Sequence, residues 1–140
     1  MEAIKIEMVD DVKSKYYSAA SATRAVCEVF DIEREELLGK KRSLKQTKPR
    51  MALYYLAYEN TAHTTTTLGE YMNRDHTSVI HGIRKCKRLM EESNIYNSNV
   101  MKAHLLAMQY ENERKPHFEK LKAEVQQMVD RINRERLNEL

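Results

Sequence analysis

The nine residues Asn73-Arg74-Asp75-His76-Thr77-Ser78-Val79-Ile80-His81 bring together an aspartate, two of the chain's five histidines and two hydroxyls. Catalysis needs a nucleophile, a base and a group that orients the base, all converging on one point. Asp75 and His76 are adjacent, so on a helix they point in different directions, and no converging set is evident. His76 and His81 are five apart, off the i, i+4 pairing that puts two histidine ligands on one helical face. The stretch therefore reads as neither catalytic nor metal-binding, and no cofactor is expected. About thirty residues upstream lies the densest basic run of the chain, residues 40–50. A polar helix start and a basic run suggest two pieces that grip one polyanion together.

Charge supports this. The 140 residues carry a formal net charge of +3. Residues 19–90 hold thirteen Lys and Arg against eight acids, while the segments before and after are each −1. The positive excess is thus confined to the middle of the chain, as phosphate contacts require.

The elements that position these residues read as helices. Only three glycines and two prolines are present, too few for the tight turns of a sandwich or barrel. The expected fold is all-α: a compact helical domain with a helix-turn-helix, followed by a C-terminal helical extension. Residues 1–18 read as an N-terminal arm or helix, 19–92 as the domain and 93–140 as the extension. A helix is expected over 21–30 with Ser21 as its cap, and a short one over 33–38 stopped by Gly39. Residues 40–48 read as a basic loop, with Pro49 opening the next helix at its first turn. A short helix over 65–72, a turn and Asp75 as the next N-cap make a helix-turn-helix. Projected at roughly 100° per residue, Val79, Ile83, Cys86 and Met90 share one side of that last helix, and Thr77, His81, Arg84, Lys85 and Arg88 the other. Residues 91–99 read as a polar linker, and Pro116 as an interruption of the helix that follows. Phe118, Leu121, Val125, Met128 and Ile132 form an a/d stripe, expected to fold back on 100–115 or to pair with a second copy as a homodimer.

Cys27 and Cys86 lack metal or disulfide-framework spacing and read as buried free thiols of a reducing cytoplasm. No signal peptide is evident, and no apolar run reaches the roughly 20 residues of a membrane span.

These residues resemble the C-terminal DNA-binding domain of the bacterial replication initiator DnaA, over about residues 19–92. The resemblance rests on Val29-Phe30-Asp31-Ile32, Glu36-Leu37-Leu38, Lys41-Arg42-Ser43, Lys48-Pro49-Arg50, Leu68-Gly69 and the specific run from Arg74 to His81. It implies double-stranded DNA as the partner. It implies Arg42 of the basic loop in the minor groove and Arg50 on a backbone phosphate; Lys45 and Lys48 of the basic run are expected DNA contacts as well. Asp75, His76, Thr77 and Ser78 would read bases in the major groove, with His81 near the backbone. Thr65 and Thr66 would touch DNA at the start of the preceding helix.

The sequence departs from the family in four places. Met51 stands where Gln is usual, Tyr58 where a basic residue is common, and Ser78 where threonine is usual. The turn at Met72-Asn73 is shorter than the family's, which has two glycines. The family's ATPase module needs a G-x-x-x-x-G-K-[ST] loop, which these residues lack, so no nucleotide is expected. The implied role is replication initiation at an origin or transcription control, in the cytoplasm and nucleoid of a bacterial or phage-infected cell. The competing reading is an interaction module that recruits a replication protein and binds DNA only loosely.

Overall fold

The computed structural model describes residues 16–40 and 43–139. Among these it contains six α-helices and no strand: α1 (Ala19–Val29), α2 (Arg34–Leu38), α3 (Leu44–Asn60), α4 (Thr65–Tyr71), α5 (His76–Glu92) and α6 (Asn94–Asn138). The expected arm lies outside the described residues except for its last three. The helix starts and stops follow from local chemistry. Ser18, not Ser21, caps α1 by accepting from the Ser21 amide. Asp31 ends that helix in the left-handed region at φ 51°, where Asp is one of the few tolerated residues. The Ile32 amide then donates back to the Cys27 carbonyl, which satisfies a terminal acceptor.

Residues 44–48 are helical, not loop. Ser43 and Gln46 form a reciprocal capping box, so α3 begins one and a half turns before Pro49. The proline therefore sits inside the helix and not at its first position. Lys45 and Lys48 accordingly project from the first turns of α3, both exposed, with Lys45 in a surface ion pair to Glu36 at 3.6 Å. The tyrosines of α3 divide between core and rim: Tyr54 is buried, Tyr55 half-buried and Tyr58 exposed.

The polar linker expected over 91–99 is also helix. Residues 91–92 finish α5, and after Ser93 caps it, α6 starts at Asn94. Tyr96, Val100, Ala103, Ala107 and Tyr110 of α6 join the same buried cluster as Leu37, Leu53, Leu56, Leu68 and Val79. The core thus continues past the boundary expected at 92/93. α1 runs antiparallel along this first part of α6, with Ser18 at Glu111 and Phe30 against Tyr96 at 5.8 Å between ring centroids. Arg24 lies 3.7 Å over the Tyr110 ring, a cation–π contact.

The Glu111 carboxylate fastens the two helices by accepting from the Ser18 amide at 3.1 Å, the Ser18 hydroxyl at 3.1 Å and the Ser21 hydroxyl at 2.7 Å. Burial alone would raise its pKa. The hydrogen bonds from Ser21 and Ser18, with the Arg114 charge, outweigh burial and hold it below the usual carboxylate value.

α6 neither stops nor folds back at Pro116. The carbonyl of Asn112, which loses its helical partner to the proline, lies on an exposed turn where water can reach it. No helix of the described residues is long and apolar enough to cross a membrane. Both cysteines are free: Cys86 is buried, with its thiol pushed up to about 11 by desolvation, while Cys27 is only half-buried.

Candidate nucleic-acid interface

The site is built on α4, the turn and α5. Thr64 caps α4, accepting from the Thr67 amide. Leu68 and Met72 point into the core, and Val79, Ile83 and Cys86 of α5 meet them there. The turn between the helices is closed by the Asn73 amide on the Glu70 carbonyl and the Arg74 amide on the Gly69 carbonyl. This is the paired pattern of a Schellman cap, which needs one left-handed residue just past the helix. Asn73 fills that place at φ 53°. A single asparagine therefore does locally what a glycine does, which accounts for the missing glycine pair. Gly69 is needed for a different reason: a Cβ there would sit 2.5 Å from the Arg74 carbonyl oxygen. The turn lies directly against α4.

The first turn of α5 then emerges as the sequence projection requires. Val79, Ile83 and Cys86 are buried, Met90 is half-buried, and Thr77, His81, Arg84, Lys85 and Arg88 are exposed. Asp75, His76 and Ser78 are exposed as well. Asp75 occupies the N-cap position, but its side chain makes no capping hydrogen bond. Its carboxylate is therefore not committed to the helix end.

Two clefts flank this first turn, and Arg74 and Ser78 line both, on the ridge between them. One, of about 480 Å³, joins Thr66 at the start of α4 to Asn73, Asp75 and His76. The other, of about 560 Å³, joins Thr47 of α3 to His81 and Lys85 of α5. Thr65, Lys45 and Lys48 line neither cleft, and Thr77 is exposed without lining them. The expected minor-groove residue Arg42 lies outside the described residues.

Arg50 is placed differently from the expectation. It is 5% exposed. Its Nε donates to the Leu37 carbonyl at 2.7 Å, and its Nη2 to the carbonyls of Glu36 at 2.8 Å and Gly39 at 2.6 Å. These are the outward-facing acceptors at the C-terminal end of α2, where a cation is favoured. The guanidinium thus lies against the C-terminal end of α2, and the residue also lines the larger cleft beside α5.

Three residues at this interface were not among the expected DNA contacts. Lys85 shows in the helical projection among the presenting cations. Thr47 gives no signal once 40–48 is read as loop. Arg74 donates through Nη2 to the Gly39 carbonyl, 35 residues away, and nothing local in the sequence announces that bond.

Residues 20–86 match the family described as the bacterial DnaA protein helix-turn-helix.

Proposed function

We propose that residues 20–86, which match the bacterial DnaA protein helix-turn-helix family, bind duplex DNA sequence-specifically through the exposed first turn of α5. The observation that carries this reading is the row of exposed polar side chains, Asp75 to Ser78, on a helix whose opposite face is buried. In a major groove, His76 donates to or accepts from a purine edge, and Asp75 accepts from a cytosine or adenine amino group. Thr77 offers a hydroxyl and a methyl that fits a thymine methyl. Ser78 supplies the hydroxyl alone. His81, Thr65, Thr66, Lys45 and Lys48 serve the flanking backbone, where contacts fix register and not sequence. Arg42 enters the narrow minor groove, a site that favours arginine. Arg50 serves by holding the end of α2 and not by meeting a phosphate itself.

The test is selection of bound duplexes from a random pool, followed by His76→Ala and Thr77→Ala on the enriched site. Each substitution is expected to cost about 1–3 kcal/mol of discrimination at one base pair. A wild-type protein that enriches no motif would defeat the reading. The role we assign to such binding is control of replication or transcription at initiator-like sites in a bacterial or phage-infected cell.

A second reading concerns the far half of α6. Phe118, Leu121, Val125, Met128 and Ile132 lie between 37% and 54% exposed. A stripe of this spacing pairs helices, and Glu124 and Arg131 flank it where opposite charges meet across an antiparallel partner. We read it as the contact to a second copy, with recruitment of a replication protein as the alternative. Light scattering of the full chain should give a dimer that Val125→Glu returns to monomer. A monomeric wild type would favour recruitment.

A further inference from the structure

The Gly39 carbonyl oxygen joins three elements. It ends α2, accepts from Nη2 of Arg50 in α3 at 2.6 Å, and accepts from Nη2 of Arg74 in the turn before α5. A carbonyl has two lone pairs, so both are taken. No side chain fits at this point, because a Cβ on Gly39 would lie 2.6 Å from the Glu35 carbonyl oxygen. The places in the chain matter as much as the contacts. Gly39 immediately precedes Lys40, the first residue of the basic run, and Arg74 immediately precedes Asp75, the N-cap of α5. One side chain therefore links the root of one DNA-contacting piece to the root of the other.

We propose that Arg74 is a positioning residue for DNA recognition: its bond to Gly39 sets the spacing between the basic segment and the first turn of α5, so that both meet one duplex in a fixed register. The proposal rests on the DNA-binding reading above. The helix-turn-helix itself does not need this guanidinium. Its turn is closed by backbone bonds from Asn73 and Arg74, and its packing by Leu68, Met72 and Val79. Arg50 keeps its own hold on α2 when Arg74 is replaced. Removal of the Arg74 side chain should leave the fold and release only the link.

The test uses the full chain and the variants Arg74→Ala and Arg74→Lys. Without DNA, trypsin cleavage after Lys40 should speed up several-fold in Arg74→Ala at an unchanged melting temperature, and Arg74→Lys should restore part of the protection. With DNA, the wild type is bound to its selected site and to versions with one base pair inserted or removed between the two contacted parts, as located by footprinting. The wild type should lose about tenfold or more on the altered spacings, comparable to a mismatched pair. In Arg74→Ala that penalty should shrink to within about threefold, with the salt dependence unchanged, because no phosphate contact is lost.

The inference is overturned if Arg74→Ala weakens all spacings equally and lowers the salt slope by about one, the mark of a direct phosphate contact. Unchanged proteolysis would overturn it too. A wild type that selects no sequence would instead fell the DNA-binding reading, and the register claim with it.

Discussion

Arg50→Ala separates two jobs that an arginine at this position could hold. The structure gives it three carbonyl acceptors at 2.6–2.8 Å, at 5% exposure. Truncation leaves the Leu37 and Glu36 carbonyls without this donor, while Gly39 keeps Arg74. A buried acceptor left unsatisfied costs roughly 1–3 kcal/mol. The Leu37 acceptor is buried and the Glu36 acceptor only part-buried, so with the lost packing of the side-chain stem the expected destabilisation is about 2–4 kcal/mol. Against a total stability of about 5–15 kcal/mol this is a large share.

Urea denaturation followed by circular dichroism would show the midpoint falling accordingly. Arg50→Lys should recover only part of the loss, since one ammonium cannot reproduce the planar fork. A direct phosphate contact makes the opposite forecast. Stability would change by no more than about 0.5 kcal/mol, as for an ordinary surface site, and the slope of DNA affinity against salt would fall by about one. That pair of results would refute the structural role assigned here.

Two further outcomes follow from the geometry. Glu111→Gln should weaken the α1–α6 contact by roughly 1–3 kcal/mol. Because the folded-state pKa of Glu111 is depressed, its contribution is complete above the ordinary value of 4.5 and is lost as pH falls through the folded value. The gap in melting temperature between wild type and variant should therefore close as the solution is acidified from pH 4.5; a gap that persists unchanged to low pH would contradict the assignment. Gly69→Ala forces a methyl against the Arg74 carbonyl oxygen at 2.5 Å. It should cost about 1–3 kcal/mol by overpacking and, by displacing the turn, reduce DNA affinity even where the protein remains folded. Binding equal to wild type at full occupancy of the folded state would show that the turn can yield.

The sequence alone determined what depends on neighbours along the chain. The two faces of α5 were legible because residue types alternate with the helical period, and the buried Val79, Ile83 and Cys86 need only that period to be found. The stop at Gly39 and the N-cap place of Asp75 were legible from the residue type at a single position. So was the motif from Arg74 to His81, whose family match covers residues 20–86.

The start of α3 was decided by competition between two local signals. The Ser43–Gln46 box overrode Pro49, because a box satisfies free donors while a proline further in forfeits one bond. The rest was tertiary. That 94–110 completes the core depends on α1 lying across it, and no local pattern marks the polar residues 94–99 as a helix start worth keeping. The destination of Arg50 and Arg74 depended on the fold most of all. A guanidinium suits a phosphate or a carbonyl equally, and only the folding of α2 against α3 and the α4–α5 turn brings the Gly39 carbonyl within reach of both.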